Sequence, residues 1–191
     1  MNLPNKIYHI TITGDLGSGK STVATIIAEK LQFHFFSTGE LQRQLAAQKN
    51  LDTLSLNKLS ESDRSIDQYI DNELKKINDA THPYVIDSRL AWHFIQFSFK
   101  VFLRVNIETG AERILSDSER VSEQTNVSLD DKILAIKERK QSENKRFFQI
   151  YGIKCSDMDN YDFIIDSTNK NPEEISDIII TSFKRRFGIK N

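Results

Sequence analysis

The sequence predicts an α/β protein: five parallel strands in one sheet, with helices on both faces, three layers in all. Two observations carry this. Short apolar or aromatic runs alternate along the chain with longer stretches whose apolar residues recur at helical spacing, the order expected of strands joined by crossover helices. The chain also begins with strand, glycine-rich turn and helix in immediate succession, where the periodicity changes from two to 3.6. At 191 residues, with no internal repeat and no low-complexity tract, it has the size of a single domain spanning 1–191.

The elements follow in order. Ile7-Tyr8-His9-Ile10-Thr11-Ile12-Thr13 alternates and is rich in β-branched residues, so it is the first strand. Gly14-Asp15-Leu16-Gly17-Ser18-Gly19-Lys20-Ser21 comes next, and Val23, Ile26, Ile27 and Leu31 then mark a helix. Phe33-His34-Phe35-Phe36 is a short aromatic strand. After it, Thr38 reads as the cap of a helix carrying Leu41 and Leu45, without the acid three residues on that would complete a capping box. Residues 50–62 read as a short helix plus loop. From 63 to 78, Ile66, Ile70, Leu74 and Ile77 form one apolar stripe on a charged helix. His82-Pro83 interrupts the chain, and Tyr84-Val85-Ile86 runs as a strand into Asp87. Phe99 to Val105 is the fourth strand, 107–116 a helix, and 117–126 a polar connection without glycine or proline. Ser128 with Asp131 has the spacing of a capping box for a long helix reaching about Phe148. Residues 162–166 form the last strand. Asn171-Pro172-Glu173-Glu174 then opens a final helix by cap, proline and first-turn acids.

Charge and composition narrow the partners. With 26 basic and 27 acidic residues the formal charge is −1, which gives no support to nucleic acid or an anionic membrane as partner. No apolar run approaches the roughly 20 residues of a membrane span, and the first six residues lack the apolar core of a signal peptide. Cys155 is alone and forms no internal disulfide. His9, His34, His82 and His93 show no metal-ligand spacing. The expectation is a cytoplasmic monomer.

The 14–21 stretch fits G-x-x-x-x-G-K-[ST] without mismatch, in the strand–loop–helix context the motif requires. Its glycines let main-chain N–H groups approach phosphate oxygens, and the helix that follows points its positive end at the same anion. Lys20 would reach the terminal phosphates of a nucleoside triphosphate, and the Ser21 hydroxyl would ligate Mg²⁺. Asp87, at the end of a buried strand, is placed to stand beside that loop and help hold the metal or its waters.

The arginines suggest a second anion. Arg139, Glu143 and Arg146 lie at spacings of four and three on one helical face, so a carboxylate stands between two guanidinium forks. That is either a solvated ion-pair ladder or a clamp for a second phosphate ester. Arg113 and Arg120 bracket the polar connection, as a loop folding over a nucleotide would require, or simply decorate a surface loop. Arg43 follows the helix start at Ser37-Thr38, and Ser88 with Arg89 follows the buried strand, where a base edge could be read.

These features resemble the cytidylate kinases, especially their short archaeal-type form. The resemblance runs from about Ile7 to Ile180. It is carried by the 14–21 loop, S-T-G-E-L-Q-R-Q-L at 37–45, D-S-R-L-A at 87–91, A-E-R-I at 111–114, I-K-E-R-K-Q-S-E-N-K-R at 136–146 and I-Y-G-I at 150–153. It implies a three-layer P-loop fold with two mobile parts, an acceptor-binding segment at about 37–80 and a lid at about 114–128. It implies transfer of a phosphoryl group from ATP with Mg²⁺ to CMP or dCMP. Residues 14–22, including Thr22, would bind ATP, with Arg120 of the lid over it. Arg43, Arg113 and Arg146 would hold the acceptor phosphate or the transferring group, and Arg139 and Glu143 would face the sugar. Ser37, Thr38, Ser88 and Arg89 would lie near the acceptor, and Lys20 with Arg113, Arg139 and Arg146 would carry the catalysis. Ser88 stands where the family usually has glycine. Asp15 brings a negative charge to the phosphate loop and is expected to point outward. The other readings are a kinase of the same fold with a different monophosphate, or a non-catalytic nucleotide-binding switch or adaptor. A guanine-reading N-K-x-D is missing, since Asn169-Lys170-Asn171 is followed by Pro172.

Overall fold

A computed structural model describes residues 7–51, 53–117 and 127–189. Strand β1 (His9–Gly14) leads into helix α1 (Lys20–Leu31), and β2 (His34–Ser37) into α2 (Thr38–Gln48), α3 (Thr53–Ser62) and α4 (Arg64–Lys76). Then come β3 (Tyr84–Asp87), the short α5 (Ala91–Phe94), β4 (Ser98–Arg104) and α6 (Ile107–Ser116). The chain ends with α7 (Leu129–Tyr151), β5 (Phe163–Asp166) and α8 (Pro172–Phe187). Arg120 and most of the expected lid, residues 118–126, lie outside the described residues, as do residues 1–6.

The strands form one parallel sheet in the order β2-β3-β1-β4-β5. The α/β class with five parallel strands is therefore as predicted. Strand alternation sends side chains to both faces of the sheet. Ile10, Ile12, Val85, Val101 and Leu103 pack against Val23 and Ile27 of α1 and Ile175, Ile179 and Phe183 of α8. On the other face Ile86 meets Ile66, Ile70 and Leu74 of α4, with Ala91 and Ile95. Each such side chain fully removed from water contributes about 1.5–3 kcal/mol. β1 is buried along its whole length between β3 and β4. Ligands of open α/β sheets bind beyond the carboxyl ends of the strands, where neighbouring connections diverge, and β1 and β3 end there at Gly14 and Asp87.

The caps show how local sequence sets the ends. Ser128 Oγ accepts from Asp131 N, and Asn171 Oδ1 from Glu174 N, as their spacing predicts. The cap of α2 is one residue earlier than expected. Ser37, still extended as the last residue of β2, accepts from Glu40 N. The acid missing from the Thr38 reading is thus Glu40, three residues after the true cap. Thr38 is free of capping and donates to Asp87 O at 3.4 Å. Helix α5 has too few residues for a periodic signal and was not expected. Among the described residues, no helix is long and apolar enough to cross a membrane.

Gly17 shows why the loop needs its glycines. Its φ is +77°, and a Cβ there would lie 2.2 Å from the Gly110 carbonyl oxygen of α6. Gly17→Ala must both strain the backbone and push α6 away, a cost of about 2 kcal/mol or more. We expect a melting temperature lower by roughly 5 °C or more in a thermal scan. An unchanged midpoint would show that this close approach is not maintained in solution.

Candidate active site

The phosphate loop is suspended between two neighbours. Asp15 N donates to Leu103 O at 2.9 Å, tying it to β4, and Leu16 and Gly17 lie against Gly110 of α6. Gly19 adopts a left-handed conformation before α1, and no side chain caps that helix. The first-turn N–H groups of α1 are thus available to an anion. Thr22 is exposed on this turn, and Ser18 is buried with no partner for its hydroxyl among the described residues. Lys20 Nζ donates to the Asp15 carbonyl at 3.0 Å. Burial lowers the Lys20 pKa to about 8. Arg89 and Arg139 push the same way, while Asp87 and Glu143 oppose them.

Ser21 Oγ donates to Asp87 Oδ2 at 2.6 Å. The hydroxyl and carboxylate predicted to serve a metal therefore stand together at the ends of α1 and β3. Mg²⁺ takes oxygen ligands and usually keeps only one or two from protein beside phosphates and waters. These two oxygens fit that donor set.

Asp15, expected to point outward, is engaged through both carboxylate oxygens. Its Oδ1 pairs with Lys140 Nζ of α7 at 2.8 Å and its Oδ2 accepts from Val105 N at 3.4 Å. Lys140 matches the charge that would otherwise oppose a phosphate here. The contact also joins the phosphate loop to the arginine-bearing helix.

On α7, Glu143 is the hub. Arg139 Nε donates to its Oε1 at 2.9 Å, and Arg89 Nε lies 2.9 Å from its Oε2. Burial would raise the Glu143 pKa, but Arg89, Arg139 and Arg146 together hold it below the usual carboxylate range. Arg146 Nη1 bonds Ser60 Oγ, and its Nη2 lies 3.8 Å from Asp67 Oδ1. So the face is not a plain solvated ladder, because α3, α4 and the turn after β3 all meet it.

Two cavities flank this hub. The larger, about 480 Å³, runs from Gly14 and Asp15 past Lys140 to Cys155. The smaller, about 70 Å³, brings together Thr38, Ser88, Arg139 and Arg146. Arg89 and Glu143 line both. Ser88 Oγ accepts from Leu90 N, fixing the turn after β3. Arg43 and Arg113 stand apart from both cavities. Arg43 is exposed beside Gly39. Arg113 donates to the carbonyls of Ser167 at 2.9 Å, Thr168 at 3.1 Å and Gly17 at 3.5 Å, bracing the loop from behind.

The structure adds residues that the sequence reading passed over. Asp67 and Asp71 lie on the buried face of α4 and line the smaller cavity, and Tyr151 OH donates to Asp71 Oδ2 at 2.8 Å. The signal was present: Asp67 lies three residues before Ile70 and Asp71 three before Leu74, which puts both acids beside the apolar stripe. Lys140 carried no such signal, since its partner is 125 residues away.

A phosphate loop after β1, with this strand order, defines a P-loop kinase fold. Two solved structures share it: shikimate kinase from Bacteroides thetaiotaomicron (TM-score 0.64, 14% identity, 95% of this chain and 98% of that one) and an uncharacterized protein from Eubacterium ventriosum (TM-score 0.68, 20% identity, 94% and 99%). At those identities the likeness concerns the fold alone. The chain belongs to the cytidylate kinase-like family, whose model matches residues 9–169. It is 35% identical to the cytidylate kinase of Sulfolobus acidocaldarius over 179 residues, 93% of this chain and 94% of that protein. It is also 34% identical over 179 residues, 92% of its length, to an S-adenosylmethionine-dependent nucleotide dehydratase from Lacinutrix mariniflava, of which that stretch is 36%.

Proposed function

We propose that the chain transfers the γ-phosphoryl group of ATP to the phosphate of CMP or dCMP, giving ADP and CDP or dCDP. The observation that supports this most is the Arg89–Glu143 wall shared by two cavities, one reaching the phosphate loop and the other the arginine face of α7. A nucleotide switch needs only the first. The 14–22 segment and Lys20 take the donor phosphates, and Ser21 and Asp87 would hold Mg²⁺, which would neutralise phosphate charge there. Arg146 holds the acceptor phosphate, Arg139 and Glu143 face its sugar, and Thr38, Ser88 and Arg89 border its nucleoside. Arg113 fixes the loop, and the lid at about 114–128 closes with Arg120 over the donor.

In the reaction an acceptor phosphate oxygen forms a bond to the γ-phosphorus. The bond to the β,γ-bridging oxygen breaks, and ADP leaves with that electron pair. The acceptor is already anionic, so no general base is required. The barrier is charge repulsion, which Lys20 and the arginines lower from fixed positions. The test is ADP release with CMP, dCMP, UMP, AMP and GMP in turn. Turnover at least tenfold faster with a cytidine monophosphate than with the others is expected, as a rough bound for a site that hydrogen-bonds the base. A different preferred acceptor would correct the substrate, and tight ATP binding without turnover on any of them would leave the adaptor reading.

A further inference from the structure

Lys140 is where α7 reaches the phosphate loop. Its Nζ stands 2.8 Å from Asp15 Oδ1, and the other oxygen of that carboxylate accepts from Val105 N at 3.4 Å. Asp15 is also where the backbone of the loop is tied. Its N–H donates to Leu103 O at 2.9 Å, and its carbonyl accepts from Ser18 N at 3.3 Å and from Lys20 Nζ at 3.0 Å. Lys140 therefore holds the residue against which the motif lysine rests. Further along the same helix, Glu143 meets Arg89, Arg146 meets Ser60 of α3 and Asp67 of α4, and Tyr151 OH donates to Asp71. Lys140 and Tyr151 are separated by about 16 Å of helix at 1.5 Å per residue. One stiff rod thus touches the phosphate loop at Lys140 and the α3–α4 segment at Arg146 and Tyr151.

The geometry points to Lys140 as a positioning residue for the transfer: through Asp15 it sets the distance between the phosphate loop and the arginine face of α7, and it couples the binding of donor and acceptor. This rests on the kinase reading above. The Lys140 and Asp15 side chains are 52% and 20% exposed, so water screens their attraction and the pair does little for stability. What it fixes is a location. Phosphoryl transfer depends on positioning and charge stabilisation more than on covalent chemistry. A shift of one ångström between the reacting groups can cost about a hundredfold in rate. The coupling follows from the rod. A donor that stills the loop also stills Asp15 and Lys140, and with them Arg139 and Glu143 on the same stretch of helix. The acceptor then meets a clamp already ordered, and by reciprocity the acceptor strengthens donor binding by the same factor. Lys140 also offsets the Asp15 charge beside the donor phosphates. That is a separate effect, and removing both charges together isolates it.

The test uses wild type, Lys140→Arg, Lys140→Met and the double variant Asp15→Asn/Lys140→Met. The acceptor is CMP, or whichever monophosphate is turned over fastest in the series above. Each protein is measured for kcat, for ATP affinity by calorimetry, and for acceptor affinity with and without β,γ-imido-ATP and Mg²⁺. In wild type the ATP analogue should tighten acceptor binding by about fivefold or more. Lys140→Met should lower kcat by about ten- to hundredfold and abolish that tightening, with a melting temperature within about 4 °C of wild type. Lys140→Arg, which keeps a cation for Asp15, should recover most of both. The double variant should bind ATP as wild type does, because no charge is left unmatched, yet keep the low kcat and the lost coupling. A double variant with wild-type kcat would reduce the pair to charge cancellation. Lys140→Met equal to wild type, or a wild type whose acceptor binding ignores the analogue, would likewise overturn the assignment while leaving the kinase reading intact. No turnover of any monophosphate by wild type would overturn both.

Discussion

Lys20→Met is expected to lower turnover by at least about a thousandfold, comparable to removing a transition-state arginine, while raising the melting temperature at pH 7. The two effects have one cause. Lys20 is held in the loop by the Asp15 carbonyl, and burial, aided by Arg89, lowers its pKa from 10.5 to about 8. Between pH 8 and 10.5 the unfolded chain binds the proton that the folded chain has released, so stability rises with pH across that window. Below pH 8 the folded protein therefore carries a destabilising charge. Removing it should gain roughly 1–3 kcal/mol, or a few degrees. The same proton is needed for phosphate. If ATP binds the ammonium form, its affinity should be level below pH 8 and fall about tenfold per unit above it, whereas the variant is weak and pH-independent. Calorimetric ATP titrations from pH 6.5 to 9.5, beside melting curves at pH 7, check this. A Met variant that melts lower and retains a wild-type pH profile would show that Lys20 serves the fold and not the phosphate.

Much of this centre was legible because it is local. The strand–loop–helix unit, the Asp87 strand end and the Arg139–Glu143 spacing each depend on residues close in sequence, where periodicity and motif geometry decide positions. What was not legible has the opposite property. Arg113, read as one end of the bracket around the polar connection, donates to the carbonyls of Ser167 and Thr168, 54 and 55 residues on. The orientation of Asp15 depends on Lys140, 125 residues distant. Asp67 was read as part of a charged helix, although its place beside the apolar stripe already marked it as buried. Propensity describes a helix face. Which arginine comes to lie opposite it is settled by the sheet order, and the sequence contains no short-range record of that.

Glu143→Ala is expected to reduce kcat/KM for the acceptor by roughly 30- to 150-fold, measured at pH 7, with most of the change in the acceptor KM. Glu143 holds Arg89 and Arg139 at 2.9 Å each and is flanked by Arg146. Its removal leaves guanidinium groups repelling one another with no carboxylate between them. Breaking a fully buried pair costs about 3–5 kcal/mol. Here the side chains remain 17–51% exposed, so about 2–3 kcal/mol is the appropriate scale. The pH of the assay matters because Glu143 also raises the Lys20 pKa. Without it Lys20 loses its proton earlier, and near pH 8 ATP affinity would fall as well, mixing the two sites. At pH 7 Lys20 remains largely charged, so ATP affinity should stay within about threefold if Glu143 acts through the arginines. Glu143→Gln, which keeps the shape and loses the charge, should fall between wild type and Ala. A variant whose ATP affinity and melting temperature drop as far as its acceptor kinetics would make Glu143 a pillar of the fold. Loss confined to the acceptor would instead identify the Arg89–Glu143 wall as the partition that keeps two phosphate esters apart until transfer.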